Sequence, residues 1–385
     1  MRTRLPLLLL AVFLISFSSC VKKEADIEYN YYKGDGLAEL KQTLDLREPP
    51  LEYKNDFPSY YTGFSSPFDE DLATLGRVVF YDKSLSSDGT ISCASCHDQA
   101  AAFADPVAFS EGVDGKVTAR NSLALGSVFS FQEYYGSMSF NRVPFFWDNR
   151  ANSVEDQSKE TFANEREMNM QMHQVVNVVN DRSYYKPLID AATNGRTTNA
   201  DENLVLQAVG VFVNSISSYN SKYDDALADY FDEHRNLDDI ESVDLPKLSP
   251  LENEGKDVYM ENCSSCHGTT NGFPGEFAAN NGLDLEYEDD GAGNGEFKVP
   301  TLRNITLTYP YMHDGRFATI DEVLKHYETG IKPHQNLSPA LKTNSGQPKR
   351  IDLDNGKKEA LKAFLETFTD EEVLTAEKYS DPFFQ

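Results

Sequence analysis

Cys93-Ala94-Ser95-Cys96-His97 stands in the first half of the chain, and Cys263-Ser264-Ser265-Cys266-His267 repeats its pattern in the second half. Two cysteines separated by two residues and followed directly by a histidine form the attachment pattern of c-type haem. The two thiols bond to the haem vinyl groups, and the histidine is the proximal ligand of the iron. The pattern therefore predicts two covalently bound c-type haems. A four-thiolate zinc site is the alternative, but zinc ribbons usually separate their cysteine pairs by only about 15–20 residues.

The composition is that of an acidic globular protein. The chain has 385 residues, of which 40% are hydrophobic and 12% aromatic, and its formal net charge is −27. This length allows about two domains. The charge disfavours a nucleic-acid partner, which would need a basic surface. An acidic surface suits the encounter with a basic protein, such as a small electron-carrying cytochrome, although solubility alone explains the charge equally well.

The N-terminus has the features of an export signal. Arg2 and Arg4 precede a short apolar run, residues 5–17, which is too short to span a bilayer as a stable helix. The run leads into Ser18-Ser19-Cys20, which resembles a bacterial lipoprotein cleavage site, with Phe17 in place of the usual Leu. We expect a signal peptide over residues 1–19 and a lipid anchor on Cys20, and hence a periplasmic, membrane-anchored lipoprotein. An ordinary secretory cleavage nearby is the alternative.

Helical periodicity predicts a mainly α fold with long irregular loops, and the two haem motifs, each preceded by a helix, predict two cytochrome c-like haem domains. Residues 20–60 are polar and tyrosine-rich, and we interpret them as a tether. A helix that begins at Ser66-Pro67 precedes the first haem motif, and a capping box that begins at Ser249 starts the helix before the second. The predicted domains are residues 61–235 and 236–385. The last helix, about 356–368, can pack back on the first domain.

Further motifs widen the pattern beyond the two haem sites. The sequence resembles the bacterial di-haem cytochrome c peroxidases and their MauG-type relatives over roughly residues 65–370. The motifs that carry this resemblance occur in the family's order and are Ile91-Ser92-Cys93 through His97, Ala119-Arg120-Asn121-Ser122, Phe146-Trp147-Asp148-Asn149-Arg150, Phe297-Lys298-Val299-Pro300-Thr301-Leu302-Arg303-Asn304 and Tyr309-Pro310-Tyr311-Met312-His313-Asp314-Gly315. One departure is Asn149, where relatives carry Gly.

The resemblance assigns the peroxide site to the first haem. In the family, a Gln ten residues after the motif Trp and a Glu ten residues further on line the distal pocket, and these positions are Gln157 and Glu167. A carboxylate can take a proton from one peroxide oxygen and return it to the other as water leaves. Trp147, the only tryptophan, matches a residue that lies between the haems and relays electrons. A buried packing aromatic is the alternative for Trp147.

The resemblance also predicts the distal ligand of each haem iron. Many relatives block the first haem with a distal His, but the matching residue is Val113, so we expect an open first haem; His173 is a less favoured substitute ligand. For the second haem, relatives use Met or Tyr, and the matching residue is Tyr327. Met312 and His326 are the alternatives at the second haem.

The helical pattern agrees with Tyr327, because it shares an apolar face with Ile320, Val323 and Leu324. Family members also hold one Ca²⁺ through an Asn side chain and two backbone carbonyls. The matching positions are Asn121, Thr308 and Pro310, and such oxygen ligands suit Ca²⁺.

Taken together, the resemblance implies a cytochrome-c peroxidase, a di-haem enzyme that reduces hydrogen peroxide to water with electrons from a reduced cytochrome c or similar donor. A MauG-type oxidase that acts on a protein or small molecule is the alternative, and Tyr327 and Val113 favour it. A non-enzymatic di-haem electron carrier is the third hypothesis, which Glu167 argues against. A homodimer is compatible with the resemblance. The identity of the donor is left open.

Overall fold

The computed structural model describes residues 31–54, 57–61, 68–128, 145–269 and 277–384, and it is mainly α, as predicted. The helices are α1 (Leu37–Thr43), α2 (Glu70–Tyr81), α3 (Val154–Ala163), α4 (Met172–Asp181), α5 (Tyr185–Ala192), α6 (Glu202–Ser215), α7 (Lys222–His234), α8 (Pro250–Asn262), α9 (Ser264–His267), α10 (Ile320–Lys325) and α11 (Asn355–Glu366). Strands β1 (Ala278–Ala279) and β2 (Phe297–Lys298) form a small antiparallel pair. No helix in these described ranges combines the length and apolarity needed to cross a bilayer.

The helix before the first haem motif begins later than the sequence predicts. Its N-cap is Asp69, whose carboxylate accepts a hydrogen bond of 2.9 Å from the main-chain nitrogen of Leu72. The predicted start at Ser66-Pro67 lies outside the described residues, as does Cys20. The buried face of this helix is apolar, since Leu75, Val78 and Val79 are almost fully inaccessible.

Residues 31–54 pack on the protein body, whereas the sequence pattern predicts a tether over residues 20–60. Tyr32, Leu40, Leu44 and Tyr53 are buried in the same core as α2 and α6. Two tyrosines of this segment, Tyr32 and Tyr53, therefore contribute apolar ring surface to the core. We call this first core, together with the elements that form it, the first lobe.

In the first lobe, α2 crosses α6 at a glycine. A Cβ atom on Gly76 would lie 1.9 Å from the carbonyl oxygen of Ala208, so only glycine allows the two helices to approach this closely. One turn further along each helix, the rings of Phe80 and Phe212 pack edge to face with their centroids 5.2 Å apart. This crossing holds the helix that leads into Cys93.

The second lobe repeats the same crossing with different helices. A Cβ atom on Gly255 of α8 would lie 1.9 Å from the carbonyl oxygen of Ala360 of α11. One turn further, the rings of Tyr259 and Phe364 have centroids 5.4 Å apart. The helix that leads into Cys263 is therefore held by the same geometry, which confirms two cytochrome c-like units.

The division between the two cores differs from the predicted domain limits. Helix α7 was placed in the first domain, but Tyr223 and Leu227 of α7 are buried in the second core with Phe364. The last helix stays on α8, and the short segment after it returns to the first lobe, where Val373 and Tyr379 are buried. Helix α7 therefore belongs to the second lobe, and the segment after the last helix belongs to the first.

Candidate di-haem site

A cavity of about 840 Å³ extends along both haem motifs and is lined by residues of both lobes. The motif residues that line it are Cys93, Cys96, His97, Cys263, Cys266 and His267. Within the described part of the chain, no three His, Cys, Asp or Glu side chains converge as a metal site. The four cysteines therefore do not form the alternative zinc site. Burial raises the pKa of Cys93 and of Cys263 to about 12, so both sulfur atoms are neutral thiols near neutral pH.

The two motif histidines are oriented in the same way. The main-chain nitrogen of His97 donates to the Cys93 carbonyl oxygen at 3.1 Å, and that of His267 donates to the Cys263 carbonyl oxygen at 3.0 Å. The Nδ1 atom of His97 lies 3.0 Å from the Phe103 carbonyl oxygen, and that of His267 lies 3.1 Å from the Pro300 carbonyl oxygen. A hydrogen bond from Nδ1–H fixes the tautomer and leaves Nε2 for a metal.

The protonation state of these histidines suits an iron ligand. Burial lowers the pKa of His97 and of His267, so both rings are neutral near neutral pH. Two thiols and one neutral imidazole at each end of a large shared cavity are the donor set that a c-type haem requires. The residues therefore fit one covalently attached haem in each lobe.

Beside the first motif, α3 and the turn after it bring a carboxylate and an amide to the cavity. Both Gln157 and Glu167 line the cavity wall. The amide nitrogen of Gln157 donates to the Thr161 hydroxyl oxygen at 2.9 Å, and the amide nitrogen of Asn164 donates to Glu167 Oε1 at 2.6 Å. The structure therefore brings together the two residues that the resemblance selected, and it adds Thr161 and Asn164 as their partners.

The Glu167 carboxyl has competing electrostatic influences. Burial raises its pKa, while hydrogen bonds from Thr161 and Asn164 and the charge of Arg150 lower it by less, so the net pKa lies above the ordinary value of 4.5. A carboxyl with a raised pKa and hydrogen bonds that hold its anion can both accept and return a proton.

The position where relatives carry a blocking histidine is occupied by a buried valine. Val113 is inaccessible to solvent and does not line the cavity. Its main-chain nitrogen donates to the Glu167 carbonyl oxygen at 3.0 Å, so this turn packs against the backbone of the distal residue. His173 is exposed on α4 and is absent from the cavity wall. Neither residue provides a side-chain ligand at the first motif.

Trp147 lies at the seam between the lobes. Its Nε1 donates to the Asn121 carbonyl oxygen at 2.8 Å, and its own carbonyl oxygen accepts a hydrogen bond of 2.7 Å from the main-chain nitrogen of Lys298. The indole packs edge to face with the His313 ring at 6.4 Å, and that ring stacks on Phe297 at 3.6 Å. Trp147 therefore contacts both lobes, an arrangement that both a relay and a packing aromatic satisfy.

The departure at Asn149 has a conformational explanation. Asn149 has a φ of 57°, in the left-handed region that glycine adopts freely and asparagine tolerates better than most residues. Its side-chain nitrogen donates to the Phe277 carbonyl oxygen at 3.1 Å. Asparagine can therefore adopt the backbone conformation that this position requires.

At the second motif, the helix that carries Tyr327 changes its winding. Helix α10 continues directly into a single π-helical turn, His326–Gly330, a feature often found at functional sites. The predicted apolar face lines the cavity and comprises Ile320, Val323, Leu324 and Tyr327. Burial raises the pKa of the Tyr327 phenol, and a hydrogen bond with Asn281 partly opposes this.

The two alternative ligands of the second haem are placed differently. Met312 lines the cavity, and its sulfur accepts a hydrogen bond of 3.4 Å from the Asn281 side-chain nitrogen. His326 is buried and absent from the cavity wall, and its Nε2 lies 3.0 Å from the Asn281 carbonyl oxygen. Tyr327 and Met312 therefore remain as candidate ligands. No local pattern of the sequence points to Asn281, because the residues that it contacts lie 31 to 46 positions away.

The predicted calcium positions all belong to the cavity wall. Asn121, Thr308 and Pro310 all line it. The side-chain nitrogen of Asn121 donates to the Val107 carbonyl oxygen at 3.0 Å, so the amide oxygen is the atom available to a cation.

Two basic side chains at the cavity were not singled out from the sequence. Arg120 forms ion pairs with Asp148 at 2.7 Å and with Asp289 at 2.6 Å. Lys298 lines the cavity, and burial lowers its pKa to about 7. Basic groups at the wall of a haem cavity suit a ligand that carries carboxylates.

Comparisons with known proteins agree with this geometry. The family model for di-haem cytochrome c peroxidase matches residues 70–231, and the model for cytochrome c matches residues 252–368. The methylamine utilization protein MauG of Paracoccus denitrificans is 30% identical in an alignment that covers 79% of this chain and 90% of that protein. The cytochrome c551 peroxidase of Nitrosomonas europaea is 28% identical, over 68% of this chain and 73% of that protein.

A solved structure gives the same result. A MauG-like protein associated with microbial copper homeostasis superposes with a TM-score of 0.69 at 28% identity, covering 85% of this chain and 98% of that chain. The diheme peroxidase BthA of Burkholderia thailandensis, at 18% identity and a TM-score of 0.60, shares the fold. The paired haem motifs, the shared cavity and these similarities together show that the chain belongs to the family of di-haem cytochrome c peroxidases and MauG proteins, and that it is a peroxidase-type oxidoreductase with two c-type haems.

Proposed function

We propose that this protein reduces hydrogen peroxide to water at the first haem, with electrons from a reduced c-type cytochrome or a similar donor. The observation that carries the proposal is the asymmetry of the cavity. A hydrogen-bonded carboxylate and an amide stand beside the first motif, whereas a phenol and a thioether stand beside the second. When bound, the haems supply irons that bind peroxide and exchange electrons.

Glu167 and Gln157 are the proposed catalytic pair. Reduction of one hydrogen peroxide consumes two electrons and two protons and yields two waters. Glu167 takes a proton from one peroxide oxygen and returns it to the other, which leaves as water. Gln157 holds the peroxide by hydrogen bonds. Asn164 orients the Glu167 carboxylate through its bond of 2.6 Å.

Trp147 is the proposed electron relay between the lobes. Its contacts with Asn121 and Lys298 hold the indole at the seam, and its ring lies beside His313. Electrons from the donor enter at the second lobe and reach the first lobe one at a time. The strongly acidic chain favours encounter with a basic donor protein.

A second candidate function is MauG-type oxidation of a protein or small molecule. Tyr327 at the second motif favours it, since a phenolate ligand gives an iron a lower reduction potential than methionine does. The 30% identity to MauG of Paracoccus denitrificans is compatible with it.

The remaining features of the proposal concern location and structure. Asn121, Thr308 and Pro310 hold one Ca²⁺ between the lobes, because neutral oxygen ligands suit this ion. The protein is exported to the periplasm and is anchored to a membrane by a lipid on Cys20. It acts as a monomer or a homodimer.

The test is turnover by the purified holoprotein. We expect hydrogen peroxide to oxidise a reduced small c-type cytochrome, and electron paramagnetic resonance of the resting ferric protein to show one high-spin haem. Two low-spin haems with no response to peroxide would show that the protein is an electron carrier and not a peroxidase. Oxidation of an aromatic substrate by peroxide, without oxidation of any reduced cytochrome, would favour the MauG-type function.

A further inference from the structure

Asn281 holds two of the three candidate ligands of the second haem. Its side-chain nitrogen donates to the Met312 sulfur at 3.4 Å. Its carbonyl oxygen lies 3.0 Å from His326 Nε2. A single residue therefore holds a thioether and an imidazole, while the third candidate, the Tyr327 phenol, lines the cavity on the π turn.

The backbone around Asn281 is held firmly. The preceding Asn280 is buried, and its Oδ1 accepts a hydrogen bond of 2.9 Å from the main-chain nitrogen of Gly282. Gly282 has a φ of +70°, and a Cβ atom there would lie 2.8 Å from the Ile331 side chain and 2.9 Å from that of Leu337. Residues on both sides of Asn281 are thus fixed, so its amide has a defined position in the cavity.

The contact with the Asn281 main chain removes His326 from competition. Nε2 is the ring nitrogen that histidine would direct at an iron, and here it is bonded to the Asn281 carbonyl oxygen. The other ring nitrogen packs under the π turn, where a Cβ atom on Gly330 would lie 3.1 Å from it. Neither nitrogen of His326 faces the cavity.

The contact with the Asn281 side chain restrains one of the remaining two ligands. A carboxamide N–H group is a donor and a thioether sulfur is a weak acceptor, and here the Asn281 nitrogen lies 3.4 Å from the Met312 sulfur. Tyr327 instead lies on the π turn, with its side chain in the cavity wall. The Met312 sulfur is therefore held by the Asn281 amide, and the Tyr327 phenol is the ligand left at the cavity.

We infer that Asn281 is the positioning residue that selects Tyr327 over Met312 as the side chain that closes the second haem. The inference rests on the proposed function only in assuming a side-chain ligand at that haem. It goes beyond that function by identifying what decides between a low-potential and a high-potential second site. Asn281 does not touch the peroxide site and acts through the two ligands.

The experiment uses the holoprotein and four variants. Asn281→Asp is isosteric and removes the N–H donors, and Asn281→Ala removes the amide. Met312→Leu is the matched control, and Asn281→Ala/Met312→Leu tests the identity of any new ligand. The readouts are the near-infrared charge-transfer band that methionine gives with ferric haem, the electron paramagnetic resonance of the second haem, and its midpoint potential.

We expect the parent protein and Met312→Leu to lack the methionine band and to have the same low potential. Both Asn281 variants should gain the band and show a raised second-haem potential, and the double variant should lose the band. A methionine band in the parent, or variants at Asn281 with an unchanged band and potential, would overturn the inference. Absence of peroxide turnover in a parent that shows these ligand signatures would instead contradict the proposed function.

Discussion

The two lobes share a frame and differ in what they place opposite each motif histidine. In both, a glycine on the helix before the motif meets an alanine carbonyl on the last helix of the lobe, and an aromatic pair lies one turn further. In both, the motif histidine bonds to a main-chain carbonyl oxygen through Nδ1. Both lobes therefore hold a haem motif with the same frame, which consists of the helix crossing, the aromatic pair and the oriented histidine. Any difference in chemistry between the two sites must come from the other segments.

Those segments have separate origins in the chain. The carbonyl partner of His97 lies six residues later, in the loop after the motif, whereas the partner of His267 lies 33 residues later. The first site receives Glu167 from the turn after α3, and the second receives Tyr327 from a π turn after α10. Different segments therefore supply the repeated frame with a group that can move a proton at one site and a group that can close an iron at the other.

The largest expected effect is a loss of peroxide turnover at the first site, with the second site unchanged. Replacing Glu167 with Gln removes the proton carrier, and because acid–base groups typically contribute ~10²–10⁴ to the rate, peroxide turnover should fall by about that factor. The spectrum and potential of the second haem should remain those of the parent. The measurement is peroxide-dependent oxidation of a reduced cytochrome, followed by absorbance.

The matched control for Glu167 is the exposed Glu165, two residues earlier. Glu165→Gln should retain the parent rate. A Glu167→Gln variant that loses less than about tenfold would remove the assigned role from this carboxylate.

The next prediction compares the stability lost when a buried carboxylate is neutralised in each lobe. Asp224, in the second lobe, pairs with Arg303 through hydrogen bonds of 2.7 and 2.8 Å, whereas Asp82, in the first, accepts from two tyrosine hydroxyls at 2.7 and 2.8 Å. Asp224→Asn leaves the buried Arg303 charge uncompensated and should cost about 3–5 kcal/mol of unfolding free energy. Asp82→Asn leaves no buried charge and should cost about 0.5–1.5 kcal/mol. Denaturant unfolding measures both, and equal costs would contradict the comparison.

The pH dependence of stability follows from the same pair. Burial alone would raise the pKa of Asp224, but the Arg303 charge and hydrogen bonds outweigh burial and hold it below its usual value. The pair therefore stabilises the fold fully above the unfolded-state pKa of about 3.9, and the contribution is lost as pH falls through the lower folded-state pKa. Asp224→Asn should flatten this acid slope in unfolding measured as a function of pH.

A smaller effect tests whether the two helix crossings are equivalent. Gly76→Ala and Gly255→Ala each force a Cβ atom against an alanine carbonyl oxygen and should each cost about 1–3 kcal/mol. Gly356, at the start of α11, faces only a side-chain oxygen at 3.3 Å, so Gly356→Ala should be neutral or stabilise by at most about 1 kcal/mol. Unfolding followed by circular dichroism gives the values. A harmless substitution at either crossing would show that the two frames are not equivalent.

The smallest expected effect is a shift in the pH dependence of turnover, which tests the proton-transfer role of Glu167 without removing the residue. Burial raises the pKa of Glu167 above 4.5, so the acid limb of peroxide turnover should lie above that pH. The Asn164 hydrogen bond opposes burial, and Asn164→Ala should therefore move the limb to higher pH. Rate–pH profiles of the parent and Asn164→Ala measure this shift, and a limb that stays in place or moves to lower pH would contradict it.

The sequence determined the features that depend on local spacing. Two thiols and a histidine in one turn define each haem attachment, and the helical period places Tyr327 with Ile320, Val323 and Leu324 on the cavity face. The family's spacing from Trp147 selected Gln157 and Glu167, and both line the cavity. Each of these patterns is carried by neighbours in the chain or by a motif of fixed length, so it can be detected without the fold.

Tertiary structure alone decided what joins distant segments. It placed residues 31–54 on the first core, assigned α7 to the second lobe and returned the C-terminal segment to the first. It also brought Asn281 to Met312, His326 and Tyr327, which lie 31 to 46 residues away in the chain. No periodicity encodes such contacts, because they exist only once apolar burial has packed the helices and fixed the loops between them.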